Sequence, residues 1–281
     1  MSSPAPTISL EYFPPRTEKG AQGLAAARAE LKLLKPSYVS VTFGAGGSTQ
    51  DGTYATIKSI LEEDGVDAAP HISCISSSRR ELADMLEAYR DLGVKRLVAL
   101  RGDVPSGYGT MDAAELRYAN ELVAFIREQT GDHFRIEVAA YPETHPQARS
   151  AQDDLDNFKR KVDAGANSAI TQYFFNPDAY YAFMDSCSKL GLDIPVIPGI
   201  MPITNYKQLA RFSDTCGAEI PRWIRKRLEG YGDDLASIRE FGFDVVLGLC
   251  EKLLDGGAPG LHFYSMNRTE PTRALWKALD L

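Results

Sequence analysis

Short apolar runs with strand character alternate with helix-patterned stretches along the whole chain. This alternation limits the fold more than any other feature of the sequence. Strand-like runs occupy residues 7–13, 38–43, 68–74, 95–101, 135–141, 168–174, 194–198 and 260–265. Helical patterns lie at 20–34, 50–63, 79–92, 112–129 and 151–164, in a stretch opened by Pro177, then at 205–215, 221–230, 235–254 and 269–279. In the run 79–92, Leu82, Met85, Leu86 and Tyr89 recur at the spacing of one helix face, and Gly93 follows as a stop signal. Eight strand–helix units in 281 residues predict an α/β fold, a (β/α)8 TIM barrel built as a single domain. An open doubly wound sheet is the alternative. Two additional helices before the last strand are the one departure from regular alternation.

In such a barrel the C-terminal ends of the strands and the loops after them build the site. On the first strand Ile8, Leu10 and Tyr12 share one face, and Ser9, Glu11 and Phe13 share the other. Pro14-Pro15 then ends the strand. Glu11 thus sits near the C-terminal end of an inner strand, where burial disfavours the charged form and suits a carboxyl to donate a proton. The competing reading is a solvated glutamate or an ion pair with Arg16. The other strand ends add Thr42 with the loop 44–48, His71, Arg101-Gly102-Asp103, Tyr141 to His145, Thr171-Gln172 and Asn267-Arg268.

Each of these has a plainer alternative. The GAGGS loop at 44–48 fits neither G-x-G-x-x-G nor G-x-x-x-x-G-K-[ST], so an ordinary strand–helix loop is the simpler reading. A lone His71 reads as a hydrogen-bonded core histidine. Arg101 and Asp103 can form a strand-end ion pair, although the glycine between them also allows a ligand close to the backbone. Asp154, Asn157, Arg160 and Lys161 recur at helical spacing. They form either a solvated stripe or, near the barrel mouth, a face able to hold a diphosphate.

Charge narrows the partners. With 31 Lys+Arg against 38 Asp+Glu the net charge is -7, and no basic run is long enough to track a phosphate backbone, so nucleic acid is not expected. An anionic ligand needs local arginine or lysine to overcome that mean field. The cysteines at 74, 187, 216 and 250 form no CxxC or zinc spacing and read as reduced thiols. No apolar run is long enough to span a membrane, and residues 1–6 lack the basic flank and apolar stretch of a signal peptide. A cytoplasmic location is expected.

Nine segments together resemble the methylenetetrahydrofolate reductase family, in its bacterial, FAD-dependent, single-domain form. They are LEYFPPR (10–16), VSVTFGA (39–45), APHISC (69–74), VALRGD (98–103), AAYPE (139–143), KRKVDAGA (159–166), TQYFF (171–175), PGIMP (198–202) and HFYSMNR (262–268). The resemblance runs over nearly the whole chain, from residue 8 to residue 278. It implies a barrel holding FAD at its C-terminal mouth and reducing 5,10-methylenetetrahydrofolate to 5-methyltetrahydrofolate, with NADH or NADPH as electron donor.

It further implies that Glu11 is the acid that opens the five-membered ring, and that Asp103 contacts the pterin and tunes the flavin. Gln172 is implied as a pterin-binding amide. Gln208, Phe212 and Arg268 would surround the aminobenzoyl-glutamate part of folate and the nicotinamide. FAD contacts are implied for Thr42, His71, Arg101, Gly102, Asp103, Tyr118, Ala119, Tyr141, His145, Asp154, Asn157, Arg160 and Lys161. A homo-oligomer is implied as well, and inhibition through a C-terminal regulatory domain is not expected. A pterin-binding barrel without flavin and a subunit dependent on a partner for electrons are the rival readings; a yellow colour and direct oxidation of NADH or NADPH separate them.

Overall fold

The first strand forms where the apolar alternation predicts it. β1 (Thr7–Tyr12) buries Ile8, Leu10 and Tyr12 against the surrounding helices. The computed structural model describes residues 5–43, 48–75, 77–102 and 115–281. In chain order the following elements are α1 (Glu18–Leu31), β2 (Tyr38–Val41), α2 (Ser48–Ser59), β3 (Ala68–Ser73), α3 (Arg79–Asp91), β4 (Arg96–Leu100) and α4 (Ala119–Thr130). Then come β5 (Arg135–Ala140), α5 (Ala151–Asp163), β6 (Ser168–Thr171), α6 (Pro177–Lys189), β7 (Val196–Ile197) and β8 (Gly199–Ile200). The chain closes with α7 (Tyr206–Cys216), α8 (Arg222–Tyr231), α9 (Leu235–Asp255), β9 (Gly260–Tyr264) and α10 (Thr272–Ala278). The strand pairs are all parallel, in the order β7-β6-β5-β4-β3-β2-β1-β9-β8.

The ends of that order are consecutive in the chain. Of the predicted strand at 194–198 only Val196–Ile197 forms, as β7, and a second short strand, β8, follows it: Val196 pairs with Ala169 of β6, and Gly199 pairs with His262 of β9. Pro198 lies between them, and its carbonyl accepts the His262 N–H at 2.9 Å. The sheet is thereby brought nearly to closure as a (β/α)8 barrel. Gly199 is required at this seam, since a Cβ there would lie 2.2 Å from the Thr171 carbonyl oxygen and 2.7 Å from the Tyr264 ring.

The barrel interior is filled from its N-terminal end. Tyr38, Ala69, Val98 and Ile170 form an apolar cluster separate from the helix-facing core. The Tyr38 hydroxyl donates to Glu137 at 2.7 Å, Arg96 pairs with the same carboxylate, and the guanidinium lies 4.2 Å from the Tyr38 ring centroid. A buried carboxylate is tolerable only with such partners. With this end plugged, the polar side chains of the opposite end are left to form a site.

One predicted helix starts later than its pattern suggests. Residues 112–114 lie outside the described residues, and 115–118 are not helical; α4 begins at Ala119. Glu121 accepts the backbone N–H groups of Arg117 and Tyr118, at 2.6 and 3.2 Å, which satisfies donors left free at a helix start. Glu115 accepts the Arg79 N–H at 2.6 Å, which ties this segment to the start of α3 instead. Among the described residues no helix is long and apolar enough to cross a membrane.

Candidate active site

A cavity of about 540 Å³ opens at the C-terminal end of the barrel. Glu11 of β1, His71 of β3, Tyr264 of β9, Tyr141 after β5, Gln172 after β6 and Phe212 of α7 line it. Each barrel-strand residue arrives by period-two alternation, which turns Ser9 and Glu11 inward while Ile8, Leu10 and Tyr12 face the helices.

Glu11 is the polar centre of the floor, with its side chain 19% exposed. Its Oε2 lies 3.4 Å from His71 Nε2 and 3.7 Å from His262 Nε2. Neither imidazole nitrogen has a hydrogen-bond partner in the described structure. His71 is therefore not the satisfied core histidine that it resembles in isolation. Burial holds its pKa below the ordinary value, with the Glu11 charge pulling the other way, so a neutral ring is favoured. His262 is fixed from behind by a 2.8 Å contact between its Nδ1 and Ser9 Oγ.

The strand ends around Glu11 are tied together. Ser265 Oγ donates to the Glu11 carbonyl at 2.6 Å, and the Asn267 side-chain amide holds both the N–H and the C=O of Phe13, at 3.0 and 2.8 Å. The Tyr264 hydroxyl donates to the Thr171 carbonyl at 2.7 Å. Burial, then the nearby Glu11 charge, pushes that phenol far above its usual pKa, so it stays a donor.

The residues expected to hold a cofactor are spread around the same mouth. Thr42 follows β2, and its backbone bridges the Tyr12 carbonyl and the Thr53 hydroxyl. Arg101 follows β4 and reaches the Gln147 side chain. Gly102 has a φ of 87°, and a Cβ there would lie 1.9 Å from Ser73 Oγ, so only glycine fits. Tyr141 meets the His145 ring edge-on at 4.5 Å. Asp154 of α5 accepts the His145 N–H at 2.8 Å and so joins that helix to the loop.

Asn157 accepts from Arg160 at 2.7 Å, and Arg160 itself is exposed. Lys161 instead turns to the barrel wall and donates to the Ala139 carbonyl at 2.5 Å; burial lowers its pKa to about 8. Tyr118 is exposed at the start of α4, and Ala119 is the first residue of that helix. Asp103 lies outside the described residues. Gln208 and Arg268 are exposed and do not line the cavity.

The structure thus brings together Glu11, His71, Tyr141, Gln172 and Phe212, and adds Tyr264 and Arg211, which the sequence reading did not single out. It also places His262 against Glu11. Alternation along 260–264 puts His262 and Tyr264 on one face and was sufficient to find both. Nothing local marks Arg211.

The chain matches the family model described as methylenetetrahydrofolate reductase over residues 1–280. The 5,10-methylenetetrahydrofolate reductase of Salmonella typhimurium is 43% identical over 274 residues, covering 98% of this chain and 90% of that one. The protein of the same name from Escherichia coli is 42% identical with the same coverage. Methylenetetrahydrofolate reductase (NADH) 1 of Zea mays is 36% identical, covering 92% of this chain and 46% of its own length. Among solved structures, a Clostridium thermocellum protein described as binding two copies of 5-methyl-5,6,7,8-tetrahydrofolic acid superposes with a TM-score of 0.65 at 17% identity. That match covers 98% of this chain and 94% of the other, a likeness of fold. With the family match running from the first strand of the barrel to its last helix, the chain belongs to the methylenetetrahydrofolate reductase family.

Proposed function

We propose that the chain is a single catalytic barrel that reduces 5,10-methylenetetrahydrofolate to 5-methyltetrahydrofolate, with FAD as cofactor and a nicotinamide dinucleotide as reductant. The setting is cytoplasmic one-carbon metabolism leading to methionine. The observation that carries this reading is Glu11: a partly buried carboxyl on the floor of the cavity, facing two imidazole nitrogens that have no other partner.

The residues at the mouth suit FAD in their chemistry. Arg160 is an exposed cation able to face a diphosphate, Gly102 leaves the backbone bare, and Tyr141 with His145 offers an aromatic wall. Bound there, FAD supplies the hydride relay between nicotinamide and folate. NADH is the favoured donor, since the name of the Zea mays relative specifies it.

Glu11 gives its proton to N10 of the folate. The bond from N10 to the one-carbon unit then breaks, because an amine leaves poorly unless protonated. The five-membered ring opens to an N5 iminium, whose carbon accepts the hydride. The rings of His71 and His262 stand where an N–H donor stabilises the resulting carboxylate. Gln172 offers both a donor and an acceptor to the pterin edge, and Asp103 is proposed as its carboxylate partner. Phe212 and Tyr264 supply aromatic walls.

The test separates the two half-reactions. Glu11→Gln keeps size and shape but cannot release a proton. The variant should stay folded and yellow and be bleached by NADH at a near-normal rate. Its oxidation by methylenetetrahydrofolate should slow by about two or more orders of magnitude. Stopped-flow absorbance reads each half. Equal slowing of both makes Glu11 a structural residue, and no slowing of either places the acid elsewhere.

A further inference from the structure

We infer that Arg211 recognises the anionic tail of the substrate and makes this cavity selective for a ligand carrying carboxylates beyond its aromatic part. The inference rests on the reading that the cavity takes a folate.

Three observations support it. Among the described residues, Arg211 is the one lysine or arginine side chain that lines the cavity. It is exposed, and its guanidinium makes no hydrogen bond or ion pair among the described residues, so nothing has to be broken for it to bind an anion. It also precedes Phe212 on α7, so the aromatic wall and the cation stand side by side at the mouth while Glu11 lies on the floor.

The cavity therefore runs from an acid and an amide, through aromatic and aliphatic walls, to a cation. A folate has the complementary order: a nitrogen-rich pterin, a benzoyl ring, and a glutamate with two carboxylates. Arg268, assigned to the folate tail by resemblance, lies outside the cavity lining, whereas Arg211 is within it and able to bind a carboxylate through paired N–H groups. On a chain of net charge -7 such a local cation is what an anionic ligand requires.

The test uses calorimetry on the protein as purified, with 5-methyltetrahydrofolate and its diamide, in which both tail carboxylates are neutral. Arg211→Gln should weaken binding of the acid about fivefold to twentyfold, the scale of a charge-assisted contact at a wet mouth. The affinity for the diamide should be the same in parent and variant. Arg211→Lys should recover part of the loss, and added salt should weaken acid binding more in the parent than in Arg211→Gln.

Equal loss for both compounds makes Arg211 a wall residue and overturns the inference. No loss for either, or a loss confined to NADH, overturns it too. A parent that binds neither compound overturns the folate reading itself, and the inference with it.

Discussion

Gly199→Ala tests whether the barrel seam holds the site in shape. The added Cβ would fall 2.2 Å from the Thr171 carbonyl oxygen and within 2.9 Å of the Tyr264 hydroxyl, and contacts under 3.0 Å force something to move. The carbonyl belongs to the last residue of β6, so the β6 end or the β8 backbone must shift. Overpacking of this kind costs about 1–3 kcal/mol. The same shift breaks the hydrogen bond from Tyr264 to Thr171, worth about 1 kcal/mol more. For a chain of this size that total lowers the melting temperature by roughly 3–7 °C.

Circular dichroism melts read the loss, with Gly248→Ala as control. Gly248 lies within α9 and a Cβ there meets nothing within 4 Å, so alanine should stabilise by about 0.5–1 kcal/mol. Because Tyr264 lines the cavity beside Glu11, the folate half-reaction should slow in Gly199→Ala and not in Gly248→Ala. A Gly199→Ala protein melting within about 1 °C of the parent would refute the argument, since the seam would then yield freely.

Two further outcomes are expected. Burial holds Lys161 at about 8 against an ordinary 10.5; between these values the unfolded chain keeps the proton and the folded chain does not, so stability rises with pH across that window. Lys161→Met should remove a rise on the order of 2 kcal/mol, read from urea melts of flavin-free parent and variant at each pH, and a parallel pair of pH curves would sink the claim. Glu143 accepts the Glu219 N–H at 2.8 Å and so latches the loop after β5 to the segment beyond α7, the helix that carries Arg211 and Phe212. Glu143→Ala should lower the melting temperature by roughly 2–4 °C and raise KM for folate more than KM for NADH; equal changes in the two KM values would show a role in stability alone.

What the sequence determined by itself is what local periodicity encodes. Alternation along 7–13 placed Glu11 on the inner face of β1, and the repeated strand–helix pattern pointed to a barrel with its site at the strand ends. Those features depend on residues a few positions apart. The shortening of the strand at 194–198 to β7 and the separate strand β8 after Pro198 were not legible, because they reflect pairing of Val196 with β6 and Gly199 with β9, partners remote in sequence. The start of α4 at Ala119 was likewise decided by Glu115 reaching the backbone of Arg79, 36 positions away. Lys161 and Arg160 read as an equivalent pair in sequence, yet one turns to the Ala139 carbonyl and the other to solvent, because adjacent residues on a helix point about 100° apart. His262 facing Glu11 across the barrel, and Arg211 reaching the cavity from α7, arise only when the sheet closes and the helices pack, since no local pattern records which distant side chains will meet.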